Sequence, residues 1–144
     1  MRTAFHEELR LIRDQLVEMT RLTSSALNRA TQALTDADLE LAERVITADE
    51  HIDALRRELD DRAVDAIARQ QPVARDLRML VTAMRMSADL ERMGDLARHV
   101  AKTARLRYPR SAVPASLRST ITGMSRVALR MVDRAGSVIA SDDL

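Results

Sequence analysis

Glu91, Asp95 and His99 follow one another at four-residue steps within residues 89–102, Asp-Leu-Glu-Arg-Met-Gly-Asp-Leu-Ala-Arg-His-Val-Ala-Lys. On a helix, side chains four apart stack on one face with Cβ atoms roughly 5 to 6 Å apart. Two carboxylates so placed repel by about 0.2 to 0.5 kcal/mol unless a cation lies between them. A hard or borderline metal ion is the simplest such cation. Gly94 stands beside them although glycine costs about 1 kcal/mol relative to alanine inside a helix, which implies close approach of a neighbouring group. The competing reading is a solvated face with Arg92 and Arg98 as counterions.

The helix that must carry these groups has an apolar seam at alternating steps of four and three: Met79, Ala83, Met86, Leu90, Met93, Ala97 and Val100. At 100° per residue Glu91 and Asp95 fall on the face opposite that seam, at the end of a second apolar stripe formed by Leu77, Leu80 and Met84. Two further helices precede it. The first runs from about Ala4 to Leu34 with the seam Phe5, Leu9, Ile12, Leu16, Met19, Thr23, Ala26, Ala30 and Ala33, and is roughly 45 Å long. The second, capped by Asp36 or Asp38, has the seam Leu41, Val45, Ala48, Ile52, Leu55, Leu59 and Ala66. Gln70-Gln71-Pro72 ends it, and Pro72 suits the first turn of the third helix, which continues to about Arg105. Three long helices with short connections predict an all-α, antiparallel three-helix bundle over residues 1–107.

Residues 108–114, Tyr-Pro-Arg-Ser-Ala-Val-Pro, read as a linker. Residues 115–144 carry a fourth seam: Leu117, Ile121, Met124, Ala128, Met131, Ala135 and Val138. The ending Ala-Ser-Asp-Asp-Leu at residues 140–144 is like Leu34-Thr35-Asp36-Ala37-Asp38-Leu39 after the first helix, an offset of roughly 105 residues that points to a duplicated unit. The fourth helix is then the opening of a second, truncated repeat. A lone amphipathic helix cannot bury its own seam. It must pack on the first bundle, pair with another chain to give a homo-oligomer, or belong to a longer protein.

Composition bounds the class. Aromatics are confined to Phe5 and Tyr108, so the core is aliphatic and methionine-rich, and the absence of cysteine excludes disulfides and thiolate metal sites. No apolar run approaches the 18 or so residues of a membrane span, and no signal-peptide core precedes the first helix, so the expected compartment is the cytoplasm. The net charge of +1 hides an asymmetry: residues 36–65 hold eleven acids against four arginines, whereas residues 98–134 hold nine basic residues against Asp133 alone. A basic segment without aromatic stacking residues argues against nucleic acid and admits an anionic membrane surface, as a peripheral contact, or an acidic partner.

Arg69-Gln70-Gln71-Pro72-Val73-Ala74-Arg75-Asp76-Leu77-Arg78, followed by Asp89-Leu90-Glu91-Arg92-Met93-Gly94-Asp95, resembles the PhoU family of phosphate-signalling regulators. The Asp36-Ala37-Asp38-Leu39-Glu40-Leu41-Ala42 and Asp49-Glu50-His51-Ile52-Asp53 segments are similar to that family too. The resemblance covers residues 1 to about 105 and continues weakly through the fourth helix. It implies two tandem three-helix bundles, each with an acidic E/D-x-x-x-D motif that binds metal ions. By that resemblance Glu91 and Asp95 are ligand candidates, and Asp49 and Asp53, a second acidic pair four residues apart, could complete the site from the neighbouring helix. His99 stands where the family commonly carries Asn. An imidazole there would admit zinc or iron alongside magnesium or manganese. The implied role is non-enzymatic: repression of the phosphate-starvation response by linking the phosphate ABC transporter and its ATPase to a sensor histidine kinase.

Two other classes compete. A carboxylate-bridged dimetal oxidase needs Glu-x-x-His pairs on two helices, and none of His6, His51 and His99 has an acid three residues before it. No glycine-rich phosphate loop is present either. A structural helical-bundle dimerisation module explains the seams equally well but gives no reason for Gly94 beside two acids.

Overall fold

A computed structural model describes residues 2–141. It contains four long helices, α1 (Arg2–Asp36), α2 (Leu39–Gln70), α3 (Arg75–Arg107) and α4 (Arg118–Ala140), with one 3-10 turn, Ala115–Leu117, ahead of α4. Among the described residues there is no strand, as the seams predict. The part of the end-of-helix likeness at residues 142–144 lies outside the described residues.

The connections explain the up-down-up course of α1 to α3. Asp38, rather than Asp36, is the N-cap of α2, its carboxylate accepting from the Leu41 backbone N–H at 3.0 Å. Gln71 closes α2 in the left-handed region, with its N–H bonded to the Ile67 carbonyl. Pro72 therefore lies in the connection and not in the first turn of α3, which begins at Arg75. Cross-helix pairs fix the directions: Arg62 meets Glu8, Ser87 meets Asp60 and Arg98 meets Asp49, so α2 is antiparallel to both neighbours and α1 is parallel to α3.

The core follows the α1 seam closely, with Phe5, Ile12, Leu16, Met19, Thr23, Ala30 and Ala33 buried. One end of the bundle is filled by large residues such as Leu59, Leu80 and Leu90, and the other by small ones, including Ala42, Ala97, Ala101 and Ala104. Two seams differ from the sequence expectation. On α2 the buried line is Ala42, Val45, Asp49, Ile52, Leu59, Ala63 and Ala66; Ala48 is exposed and an acid takes its place. On α3 the buried line is Leu80, Ala83, Ser87, Leu90, Gly94, Ala97, Ala101 and Ala104. Met93, 36% exposed, is off the core, while Ser87, Gly94 and Ala101 are at its centre. Small residues win those positions because the helices pack most closely there, and the flexible methionines fit the margins.

The α4 seam also differs. The helix runs antiparallel along α1, held by Arg118 to Asp36 and by the Ser24 hydroxyl donating to Asp133 at 2.9 Å. It buries Val132 and Ile139, with Gly136 against Thr20, whereas Leu117, Met124, Met131 and Val138 of the expected seam face outward. Among the three alternatives for the fourth helix, packing on the first bundle is realised, but through a neighbouring face.

Candidate metal centre

The buried acid of α2 and the buried glycine of α3 face each other. A Cβ at Gly94 would lie 2.9 Å from Ile52 Cδ1 and 3.3 Å from Asp49 Oδ1, so only a residue without a side chain lets α3 approach α2 this closely. Asp49 is 4% exposed. Asp53, one turn further along α2, and Asp95, next to Gly94 on α3, are half-buried beside it. Each of the three offers a carboxylate oxygen, and these oxygens all lie within 4.8 Å of one another.

Two guanidiniums flank the acids. Arg98 Nη2 is 2.9 Å from Asp95 Oδ1, and Arg98 Nε is 3.3 Å from Asp49 Oδ2 without hydrogen-bond alignment. Arg56 reaches Glu91 at 3.5 Å and Asp60 at 3.7 Å. Asp49 Oδ2 and Asp53 Oδ1 are buried with no hydrogen-bond donor, which costs free energy on the order of a kcal/mol or more per charged group. The Asp49 carboxyl is pushed above the usual carboxylate range, chiefly by burial; Arg98 opposes the rise and the charges of Asp53 and Asp95 add to it. Glu91 is raised as well, first by burial and then by the charge of Asp95 and the hydrogen bond shared with it; Arg56 offsets part of this.

Asp49, Asp53, Asp95 and Glu91 thus form one electrostatic unit in which four carboxylates face two guanidiniums. The unit accords with a divalent or trivalent cation on three grounds. Two buried acceptors lack donors, the donor set is all oxygen as hard cations prefer, and Gly94 brings α3 close enough to α2 for carboxylates of both helices to lie within 4.8 Å of one another. Glu91 and Asp95 are not on the face opposite the core, as the methionine seam predicted; they flank Gly94 on the side turned to α2. His99 is exposed and lies outside the group of three acids, so the nitrogen donor that would favour zinc is not brought to it. Arg92 is exposed. Arg56 was not singled out from sequence. The signal was its place four residues after Ile52 and three before Leu59, at the margin of the buried α2 line, from which a long basic side chain reaches the acids.

A family model described as the PhoU domain matches residues 16–104, the stretch that carries all four acids. The chain belongs to the PhoU family. It is 46% identical over 143 residues to a "Phosphate-specific transport system accessory protein PhoU homolog 2" of Mycobacterium tuberculosis, covering 99% of this chain and 67% of that protein. It is 45% identical over 143 residues to homolog 1 of Mycobacterium leprae, covering 99% and 64%. It is 34% identical over 139 residues to the homolog of Rhizobium meliloti, covering 96% and 58%. The chain thus spans about two thirds or less of the length of these relatives. No helix among the described residues is long and apolar enough to cross a membrane.

Proposed function

We propose that this PhoU-family chain is a non-catalytic regulator of phosphate uptake and of phosphate-starvation signalling. In this reading it couples the ATPase of a phosphate ABC transporter to a sensor histidine kinase in the cytoplasm and represses the starvation response when phosphate is plentiful. The observation that carries the phosphate role is the likeness, over 99% of the chain, to proteins named as phosphate-specific transport system accessory proteins. The residues offer rigid helix faces with separate acidic and basic regions, which suits an adaptor that steers partners by charge.

Asp49, Asp53, Asp95 and Glu91 would hold the metal, and its charge would neutralise the excess of carboxylate between α2 and α3. With His99 outside the group, the oxygen donors favour magnesium, manganese or iron over zinc. Residues 115–144 as the opening helix of a second repeat account for the two apolar faces of α4, one seated on α1 and one outward.

The test has two arms. Expression of the chain in a mycobacterium lacking its own PhoU homologues should restore repression of secreted phosphatase at high phosphate; a folded, expressed chain that restores nothing refutes the regulatory reading. Plasma mass spectrometry on tag-free protein should find metal in the parent and none in Glu91→Gln/Asp95→Asn. A metal-free parent would leave these acids to Arg98 and Arg56 as a charged interface between α2 and α3 and refute the metal reading.

A dimerisation module remains the second reading, favoured by the outward Met124 and Met131 on α4. A dimeric mass that becomes monomeric in Met124→Lys/Met131→Lys, without any effect on phosphatase repression, would support it.

A further inference from the structure

A groove of about 560 Å³ opens between the N-terminal halves of α1 and α3, on the side away from α2. Because those helices are parallel, both walls repeat in step. Leu9 and Leu16 on α1, and Met79 and Met86 on α3, each stand seven residues apart. The floor is completed by Ile12 and Ala83. Above it, Arg10 and Arg13 line the α1 wall, and Arg75 and Arg78 the α3 wall. Arg10 has an exposed ion pair with Glu7, but among the described residues no hydrogen bond or ion pair engages the side chain of Arg75 or Arg78.

We propose that this groove receives an amphipathic α-helix of another protein, with an apolar stripe on the floor and carboxylates along both flanks. Three features select that occupant. A seven-residue repeat on both parallel walls is the spacing into which the a and d residues of a third helix insert. From residue 6 to 16 the floor is roughly 15 Å long, about three helical turns. Methionine at two wall positions gives a surface that adapts to the side chains it meets. Arg75 and Arg78 hold open positive charge on the α3 side, and Arg10, shared with Glu7, and Arg13 stand on the α1 side, so a helix with acidic flanks is steered in and a basic one repelled.

A second copy of this chain does not offer such a helix. Its acidic α2 already buries Val45, Ile52 and Leu59 in its own bundle. The outward stripe of α4 is flanked by Arg126, Arg130 and Arg134, of the same sign as the groove. The groove is also on another face of α3 from the acidic centre: at 100° per residue Met86 and Asp95 point about 180° apart around the helix. The proposal therefore stands whether or not metal binds.

The probe is a fluorescein-labelled peptide of about four turns with leucine at a and d and glutamate at e and g, beside a version with lysine in place of glutamate. Fluorescence anisotropy against the full chain should show saturable, micromolar binding of the acidic peptide alone. Arg75→Glu/Arg78→Glu should weaken it by about tenfold or more. Arg126→Glu/Arg130→Glu, which changes the net charge equally on α4, should leave it within about twofold. Thr82→Phe, an exposed position that fills the groove without changing charge, should also weaken binding. Equal binding of both peptides, or equal loss in the two charge-reversal variants, would overturn the proposal. So would saturable binding of dodecanoate with none of the acidic peptide, since that would mark an acyl-chain site. All these substitutions are at exposed residues, and circular dichroism checks that each variant keeps its helices.

Discussion

Gly94 and Gly123 both lie inside helices, yet alanine should act oppositely at the two positions. At Gly123 an added Cβ meets nothing within 4 Å, so the substitution gains helix propensity alone, about 1 kcal/mol. At Gly94 the same gain is set against a contact of 2.9 Å with Ile52 Cδ1 and one of 3.3 Å with Asp49 Oδ1. Both neighbours are buried, and Ile52 is only 2% exposed, so neither can swing into solvent. Overpacking of this kind costs about 1 to 3 kcal/mol. Gly94→Ala should therefore range from neutral to about 2 kcal/mol less stable than the parent, and 1 to 3 kcal/mol less stable than Gly123→Ala. For a chain of this length that separates their melting temperatures by about 4 to 12 °C.

Circular dichroism melts in chelator give the separation, and metal stoichiometry by plasma mass spectrometry supplies a second readout. Because the Asp49 carboxylate must move aside, Gly94→Ala should lose bound metal while remaining folded, and Gly123→Ala should keep it. A Gly94→Ala protein that melts as high as Gly123→Ala would refute the close approach of α3 to α2. The reasoning about the acidic centre would fall with it.

Gly136→Ala probes the seat of α4: its Cβ would lie 2.7 Å from Thr20 Oγ1, a buried hydroxyl that donates to the Val17 carbonyl at 2.6 Å. Hydrogen exchange over residues 118–140 should rise markedly while α2 and α3 stay protected; unchanged exchange would mean that α4 is not seated through this face. In chelator, the raised carboxyl of Asp49 makes the folded chain bind more protons than the unfolded one above the ordinary carboxylate range. Its contribution to stability is then fullest at acid pH and is lost as pH rises through the raised value. Urea titrations at about pH 4 and pH 7 should show Asp49→Asn gaining on the parent as pH rises, and a constant gap would contradict the burial argument. Metal should reverse that trend: at a hundredfold excess over Kd it adds about 2.7 kcal/mol. Asp49→Asn/Asp95→Asn should abolish this gain, and an equal gain in the variant would locate the ion elsewhere.

The helices were legible because their seams are long and regular, and the α1 seam from Phe5 to Ala33 is nearly the buried line itself. The errors have one physical source. Periodicity weighs residues by apolarity, whereas the closest helix contacts select for small size. Met93 therefore drew the predicted seam of α3 toward itself when Ser87, Gly94 and Ala101 occupy the centre, and Ala48 hid the burial of Asp49. On α4 apolarity favours the larger set, Leu117, Met124, Met131 and Val138, as the packing face, but Val132, Gly136 and Ile139 fit the surface of α1. Glu91 and Asp95 were recognisable as a pair from spacing. Their relation to Asp49 was not, because it depends on the rotation of α2, which a shift of one residue in its seam alters by about 100°.

That rotation gives the acidic centre its consequence for the fold. Asp49 occupies a core position of α2, so the charge of the cluster bears on the interface that holds α2 to α3. With Arg98 and Arg56 as the cations within reach, and Arg56 shared with Asp60, the carboxylates outnumber the guanidiniums, and burial magnifies their mutual repulsion. A cation between the helices would turn this repulsive patch into a cross-link, as ligands that bind only the folded state do. The bundle's stability and the apposition of α2 and α3 would then follow metal occupancy. Gly94 would be the residue that permits the coupling, since any side chain there would part the two helices before an ion could join them.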